Sequence, residues 1–291
     1  MIKQSSDYLR FIDIAFKVSR ILPNYSGKFS RKDFTQRQLM TLYILKQKSK
    51  LSYEEFLKDF STRNCAIEDL QLKKIPSDST IKMFISRIET RTLEEIIIKT
   101  IELTKNRNVE TAIDSTGFQL EDGSYSYMKR IGTATKKRKN LKLSGCVDTK
   151  KHLFLAVKIR KSNAHDSKDF KLLILKTKKT GKKIIFNSAD KAYDSEELHE
   201  FSEEQGFVNI VPLRKHTTKI WRTQGRHRKI LRRNFPEKKY HRRSIIENMW
   251  FCVKRLCGKV VFAKKWINQK KELIGKVIAY NIHRLVQLLR I

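Results

Sequence analysis

The chain lacks the features that would place it in a membrane, outside the cell or around a nucleotide cofactor. No stretch approaches the roughly 20 consecutive apolar residues of a membrane-spanning helix, and the first residues lack the apolar run of a secretory signal. The four cysteines show no CxxC or Cys/His zinc spacing, and we expect all four to be buried as small apolar residues. No GxGxxG or Walker-type loop is present. These absences predict a cytoplasmic protein with no membrane partner, disulfide or zinc site.

Acidic residues are scarce beside basic ones. The 291 residues hold 64 Lys and Arg against 30 Asp and Glu, which gives a formal net charge of +34. This excess goes beyond what solubility requires and predicts a polyanionic partner, with nucleic acid the obvious candidate. Residues 1–110 hold 21 basic and 14 acidic side chains, whereas residues 111–291 hold 43 and 16. The second part of the chain should therefore bind most of the polyanion.

Residues 1–108 are predicted to form a helical N-terminal region. Apolar spacing and capping residues predict helices over residues 7–22, after Asp33, after Ser52, after Ile75 and over residues 92–105. Ser77, Ser79, Thr80 and Lys82 would lie in the exposed first turn of the fourth helix. This order is typical of a helix-turn-helix with its last helix in the major groove of DNA. An ordinary helical bundle fits the pattern equally well.

Residues 109–291 are predicted to form an α/β catalytic domain. Strands are expected over residues 111–118, 141–147, 152–159, 183–190 and 207–213, with helices over residues 166–175 and 196–205. This order matches a ribonuclease-H-like core, in which a mixed five-stranded sheet is flanked by helices. The first and fourth strands of that core are neighbours, so Asp114 and Asp190 would share a site. A last helix carries an apolar stripe over residues 273–289, which is typical of core or dimer contacts.

The stretch from residue 240 to 254 predicts a helix with two different faces. At 100° per residue, four polar side chains project within roughly 60° of one another: Tyr240, Arg243, Glu247 and Lys254. The neighbouring face is apolar and should pack on the core through Ile245, Ile246, Met249, Trp250, Val253 and Leu256. Alone, the polar face also fits a solvated surface with an ordinary helix ion pair.

Three carboxylates would meet if this helix lies beside the two strands. Asp114, Asp190 and Glu247 would then hold two divalent cations about 4 Å apart, as phosphodiester displacement requires. Oxygen ligands without His or Cys favour Mg²⁺ or Mn²⁺ over zinc. Each aspartate taken singly also fits a turn or a helix cap.

Two basic clusters flank these carboxylates in the sequence. Residues 214–243 hold 13 Lys or Arg and a single acid, Glu237, with aromatic residues interleaved. Backbone contacts and base stacking are the expected role, against the alternative of a solvated charge run. The DNA-binding candidates here are Trp221, Arg222, Arg226, Arg228, Arg232 and Arg233. The second cluster, between the first two strands, contributes Lys136, Lys137 and Arg138.

Three motifs resemble those of a known family. Tyr240-x2-Arg243-x3-Glu247-x6-Lys254 resembles the signature of DDE transposases of prokaryotic insertion sequences, in the group that contains insertion-sequence families four and five. Ala112-Ile-Asp114-Ser-Thr-Gly and Ala189-Asp190-Lys-Ala-Tyr-Asp194-Ser are similar to the first and second acidic motifs of these enzymes.

The resemblance implies both residue roles and a reaction. Asp114, Asp190 and Glu247 would be the catalytic, metal-binding triad, and Tyr240, Arg243 and Lys254 would handle DNA near the scissile phosphate. Metal-activated water would attack at the transposon end, and the freed 3′-hydroxyl would attack target DNA. The implied partners are double-stranded DNA of the terminal inverted repeats and of the target, bound by a homodimer in the nucleoid. A non-catalytic nucleic-acid-binding protein and a nuclease without strand transfer remain as alternatives.

Overall fold

The computed structural model describes residues 6–121, 140–161, 165–214 and 219–289. The chain forms two compact units, one made of Met1–Leu103 with Cys252–Ile291 and the other of Thr104–Phe251. Across the described ranges, no helix combines the length and apolar character needed to cross a membrane.

The sequence pattern predicts most of the helices and strands, but not the short helices over residues 64–69, 226–233 and 237–240. The helices are α1 Ser6–Val18, α2 Gln36–Ser49, α3 Tyr53–Ser61, α4 Asn64–Asp69, α5 Asp78–Arg87, α6 Thr90–Glu102, α7 Phe170–Lys178, α8 Glu196–Glu204, α9 Arg226–Arg233, α10 Glu237–Tyr240, α11 Ser244–Cys257 and α12 Trp266–Leu288. The strands are β1 Asn108–Leu120, β2 Asn140–Asp148, β3 Leu153–Lys161, β4 Lys183–Ala189, β5 Val208–Ile210 and the two-residue β6 Val260–Val261.

Side-chain caps fix where the N-terminal helices begin. Thr35 and Ser52 each form a capping box, in which the hydroxyl accepts from the third backbone N–H and a Gln38 or Glu55 side chain accepts from the cap N–H. The hydroxyl of Ser77 accepts from the N–H of Thr80 at the start of α5. These hydroxyls supply partners for N–H groups that a helix leaves unbonded at its first turn.

The long helix α12 lies in the core of the first unit with the N-terminal helices. The Tyr43 hydroxyl donates to the Lys271 carbonyl at 2.9 Å, and the Lys271 ammonium donates to the carbonyls of Ile85 and Ser86. The Asn281 amide donates to the Thr100 hydroxyl at 3.0 Å. A helix that is buried on nearly every side needs surrounding helices, and α1, α2 and α6 provide them.

This packing divides the chain differently from the sequence expectation. Residues 252–289 were assigned to one domain with residues 109–251, but they form part of the helical unit instead. The end of the first helical stretch, Leu103, nevertheless lies within a few residues of the boundary expected at residue 108. An apolar stripe predicts that a helix is buried but does not specify which helices bury it.

The sheet of the second unit has the strand order β3-β2-β1-β4-β5. Strands β1, β2 and β3 pair antiparallel, whereas β4 pairs parallel with both β1 and β5. Helix α7 connects β3 to β4, and α8 connects β4 to β5. The predicted mixed, ribonuclease-H-like sheet flanked by helices is therefore confirmed, and β1 lies at its centre.

Helix α11 packs on this sheet through one aromatic side chain. Ile246, Met249, Trp250 and Val253 are buried, as their spacing predicts. The Trp250 ring lies 4.6 Å from the Phe154 ring, centroid to centroid. A Cβ atom at Gly145 would come within 2.9 Å of Trp250 Cζ2, so the indole rests on a strand position that has no side chain. Because Gly145 is paired with Asp114 across β1 and β2, this contact sets α11 close to that aspartate.

The predicted burial of the cysteines is correct for two of the four. Cys146 and Cys257 are buried, but Cys65 and Cys252 are exposed, and all four are free thiols. Cys146 lies in β2 and Cys257 ends α11. Composition alone does not tell which face of a helix a cysteine occupies.

We expect Gly145→Ala to destabilise the protein by about 1–3 kcal/mol, the usual cost of overpacking a filled core. The added methyl would overlap the Trp250 ring and force α11 away from β2. Chemical denaturation would measure the change. Gly117→Ala is the matched control, because no atom of the described residues, apart from its chain neighbours, lies within 4 Å of its Cβ position. Equal losses for the two variants would contradict the proposed contact.

Candidate active site

Two aspartates lie side by side at the centre of the sheet. The parallel ladder of β1 and β4 pairs Ile113 with Ala189, so the next residues, Asp114 and Asp190, are neighbours. Adjacent strands are about 5 Å apart. Strand β1 continues past Asp114, whereas β4 ends at Ala189 and Asp190 starts a 3-10 turn. The Asp190 carboxylate accepts a hydrogen bond from the Lys191 N–H at 2.7 Å.

Glu247 lies in the first turn of α11 and forms an ion pair with Arg243. The Arg243 Nη1 atom is 2.8 Å from Glu247 Oε1, and the Glu247 side chain is 53% exposed. The stretch from Tyr240 to Lys254 is not one α-helix, because α10 ends at Tyr240 and a 3-10 turn spans His241–Arg243. Arg243 and Glu247 keep their pairing across this turn. The expectation that all four polar residues project from one face of a single α-helix is therefore wrong.

Arg243 lies among several oxygen-bearing groups. Burial alone would lower its pKa, but the hydrogen bond with Tyr240 and the charge of Glu247 outweigh it, so the pKa of Arg243 is raised. Asp190 contributes in the same direction. Arg243 is therefore the counterion that the local carboxylates share.

The pKa of Asp114 is raised above its usual range. Burial is the largest cause, and the negative charges of Glu247 and Asp190 add to it. The Ser115 N–H and the Arg243 charge act in the opposite direction. The other two carboxylates of the predicted triad thus both raise the pKa of Asp114, which places all three in one electrostatic environment.

The donor chemistry of this site fits a hard divalent cation. Carboxylate oxygens are the ligands that Mg²⁺ and Mn²⁺ prefer, and positive charge would favour the ionised form of Asp114, which burial and the neighbouring carboxylates oppose. In the part of the chain that the structure describes, no three His, Cys, Asp or Glu side chains converge closely enough to hold a metal ion. Glu247 faces Arg243, so only a rearrangement of this pair would bring it to the two aspartates.

Asp169 is a buried carboxylate that the sequence did not single out, and it binds residues of β2 and β3. Asp169 is fully buried, accepts from the Ser144 hydroxyl at 2.8 Å and pairs with Arg160 at 2.5 Å. Tyr193 is also buried, and its pKa is raised by burial first and then by the charge of Asp114, with Asp169 and Asp190 adding to it. Tyr193 belongs to the second acidic motif, which was the signal available for it.

The segment before α11 is attached to the sheet by residues next to the predicted ones. Arg242 Nε lies 3.1 Å from a carboxylate oxygen of Glu110, which is on the same strand as Asp114. The Lys239 ammonium lies 5.6 Å from the centroid of the Phe186 ring on β4. The Tyr240 ring packs edge-on against Phe235 at 5.2 Å. The signature spacing identifies Tyr240 and Arg243 but not these neighbouring contacts.

The other predicted DNA-binding residues lie in different settings. Trp221 is 68% exposed, and the Arg222 guanidinium lies 4.6 Å from its ring centroid. Arg226 and Arg233 are exposed on α9, Arg232 is half-buried, and Arg228 pairs with Asp194. Lys254 is half-buried in the first unit, and burial lowers its pKa. Lys136, Lys137 and Arg138 lie outside the described residues.

The polar residues at the start of α5 bond mainly to one another. The Ser77 hydroxyl lies 2.9 Å from the Ser79 hydroxyl and 2.8 Å from that of Thr80. Lys82 pairs with Asp78 at 2.6 Å. These bonds belong to helix capping, and DNA binding by this helix stays a prediction.

The strand order defines a ribonuclease-H-like domain. The family model of the transposase DDE domain matches residues 105–282. The chain belongs to the DDE transposase family, whose members generally use divalent metal ions. The match starts one residue into the second unit and extends through most of α12. The predicted family is confirmed, whereas the insertion-sequence group and its signature stay predictions.

One solved structure is also similar to the chain. It is a pre-cleavage Mos1 transpososome, with 10% sequence identity and a TM-score of 0.30. The similarity covers 91% of this chain and 79% of that chain. A likeness at this level carries no argument about the residues of the site.

The raised pKa of Asp114 predicts a pH-dependent gain in stability for Asp114→Asn. Ionisation of the buried carboxylate weakens folding, so the cost is absent below the usual carboxyl pKa and complete above the raised one. Without divalent ions, the variant should unfold at a higher temperature than the wild type near pH 7. The two melting temperatures should converge as the pH falls through the carboxyl range.

Thermal unfolding from pH 3 to pH 8 in a chelator would measure this difference. Glu200→Gln removes an exposed carboxylate from α8 and is the matched control for loss of one charge. If Asp114→Asn is no more stable than the wild type near pH 7, the aspartate is not strained by its surroundings.

Proposed function

We propose that this protein is an insertion-sequence transposase that binds transposon ends, cleaves DNA by metal-dependent phosphodiester hydrolysis and joins the 3′-hydroxyl ends to target DNA. The observation that carries the proposal is the pairing of β1 with β4, which makes Asp114 and Asp190 neighbours in the environment of Glu247. Membership in the DDE transposase family supports the same reading.

Asp114, Asp190 and Glu247 would hold the Mg²⁺ or Mn²⁺ ions, and two ions are expected. Such ions supply charge stabilisation for the attacking and leaving oxygens of the displacement. Burial, together with the charges of Glu247 and Asp190, opposes the ionisation of Asp114, and a bound cation would favour it instead. Trp250, which rests on Gly145, keeps the start of α11 beside the aspartates.

Arg243 has a second role in this proposal. Its guanidinium now pairs with Glu247, and a phosphate of bound DNA offers it a bidentate alternative. The exchange would release the Glu247 carboxylate toward Asp114 and Asp190. Binding of DNA and completion of the ion-binding site would thus be one event. Tyr240, which is bonded to Arg243, would contact the same DNA end.

The basic second half of the chain supports DNA as the partner. Exposed Trp221, Arg226 and Arg233 fit contacts with the phosphate backbone and with unstacked bases. Lys254, two helical turns after Glu247, would bind a phosphate as a point charge. Transposition joins two ends, and a homodimer in the DNA complex would satisfy this requirement. Terminal inverted repeats beside the gene would identify the ends.

A non-catalytic DNA-binding protein is the second candidate. The Arg243–Glu247 ion pair favours it, because a third carboxylate held by arginine is not available as a ligand. This candidate and the transposase bind the same DNA and differ in whether the DNA is cut.

We expect purified protein to cleave DNA that carries the element's ends in Mg²⁺ or Mn²⁺. Asp114→Asn, Asp190→Asn and Glu247→Gln should each lower the cleavage rate on the order of 10²- to 10³-fold, as loss of a group that stabilises transition-state charge does. DNA affinity should stay within a few-fold. Gel-based cleavage and fluorescence anisotropy would measure the two quantities.

Glu200→Gln serves again as the control, since its carboxylate is exposed on α8. A wild-type protein that binds the ends and never cuts them in either metal would refute the enzyme and favour the second candidate.

Strand transfer is a separate expectation. Given ends that already have a free 3′-hydroxyl, the protein should join them to a supercoiled plasmid, and the triad variants should not. A protein that cleaves uncut ends but never joins these pre-cleaved ends would be a nuclease without transposase activity.

A further inference from the structure

Two acidic residues, Asp194 at the end of the turn after Asp190 and Glu196 at the start of α8, bind the basic stretch of residues 214–243. Asp194 ends this turn, and its carboxylate is buried. Arg228 donates to both of its oxygens, from Nε at 2.8 Å and from Nη2 at 2.9 Å. The Arg214 N–H donates to Asp194 Oδ2 at 2.9 Å. One buried carboxylate thus holds both the start of the basic stretch and the helix α9.

Arg214 is bound to the same turn by its side chain. Its Nε atom donates to the Lys191 carbonyl at 3.0 Å, and Nη2 donates to the Ala192 carbonyl at 2.5 Å. These carbonyls belong to the 3-10 turn that Asp190 caps. Arg214 therefore holds the turn that begins at Asp190 through two of its backbone carbonyls.

Glu196 caps the N-terminus of α9. Its carboxylate accepts from the backbone N–H groups of His227 at 2.8 Å and Arg228 at 3.3 Å, and it lies 2.9 Å from His227 Nδ1. Burial opposes its charge, but these hydrogen bonds outweigh burial and lower the pKa of Glu196. A Cβ atom at Gly225, where φ is +92°, would overlap this carboxylate. Position 225 thus needs glycine for both its conformation and its contact.

These bonds leave the outer face of α9 for a partner. Arg226 and Arg233 are exposed, with the Arg226 guanidinium 3.9 Å from a carboxylate oxygen of Glu203, whereas Arg228 is turned inward to Asp194. A bidentate arginine on a buried carboxylate is a rigid connection, because both groups depend on it for their hydrogen bonds. An arginine in this position connects two parts of the protein and is not available to contact a phosphate of DNA.

We propose that Asp194 and Glu196 are positioning residues that hold the basic helix α9 at a fixed place relative to Asp190. DNA that binds the exposed arginines of α9 is thereby placed with its scissile phosphate at the aspartates. Arg228 serves this connection and does not contact DNA. The inference rests on the proposed function for the identity of the cut DNA.

A positioning role and a binding role are distinguished by two measurements, the cleavage rate of bound DNA and the affinity for DNA. Asp194→Asn keeps the shape of the side chain but loses the charge that Arg228 pairs with, and Glu196→Gln loses the acceptor charge at the start of α9. We expect each to lower the single-turnover cleavage rate of bound DNA by 10- to 100-fold, since a displacement of about 1 Å can cost 10²-fold. DNA affinity should change by less than 3-fold. The double variant Arg226→Ala with Arg233→Ala should lower DNA affinity and leave the cleavage rate of bound DNA nearly unchanged.

Two further variants keep the test decisive if Asp194→Asn fails to fold. Arg228→Lys retains the positive charge and loses the bidentate geometry, so it should reproduce the rate loss. Glu197→Gln is the matched control, because Glu197 forms an exposed pair with Lys171 next to the cap and should leave the rate unchanged. Hydrogen exchange should show faster exchange of the His227 and Arg228 amides in Glu196→Gln only.

The outcomes distinguish this inference from the proposed function. A wild-type rate for Asp194→Asn and Glu196→Gln with bound DNA would overturn the positioning role and leave the transposase intact. If the wild type binds but never cuts, the proposed function fails. In that case the footprint of the protein on DNA tests the positioning role. Asp194→Asn and Glu196→Gln should keep their affinity for DNA but lose the sharp boundary of the protected segment. An unchanged footprint would overturn the positioning role.

Discussion

The parallel pairing of β1 with β4 is the interaction on which the rest of this site depends. It joins two strands that are far apart in the chain and places Asp114 next to Asp190. Strand β2 pairs on the other side of β1 and brings Gly145 opposite Asp114, which lets Trp250 lie against the sheet. The position of α11, and with it Glu247, follows from that contact. A slip of β4 by one residue against β1 would turn the side chains of β4 to the other face and separate Asp190 from Asp114.

The site concentrates like charges at a cost in stability. Asp114 is half-buried, and its pKa is raised first by burial and then by the negative charges of Glu247 and Asp190. Arg243 partly neutralises the group by pairing with Glu247. Such an arrangement is poor for folding and suited to binding cations, which is the usual relation between stability and function at active sites.

Acidic residues are few in this chain, and several of them hold arginines in place. Glu110 pairs with Arg242, Asp169 with Arg160, and Asp194 with Arg228. Each of these carboxylates is buried or half-buried. The chain has a net charge of +34, and these three carboxylates orient the segments that carry the site. The charge total therefore does not identify which arginines meet DNA.

The sequence determined the order of strands and helices, the caps at Ser52 and Ser77, and the identity of the candidate carboxylates. These depend on local periodicity, on side chains that bond within one turn, and on motif spacing. Tertiary structure alone decided that α12 packs with the N-terminal helices, that Arg228 binds Asp194, and that Glu247 faces Arg243. Each of these is a choice among several partners of similar chemistry. That choice depends on which distant segments meet, and the local pattern of residues carries no information about it.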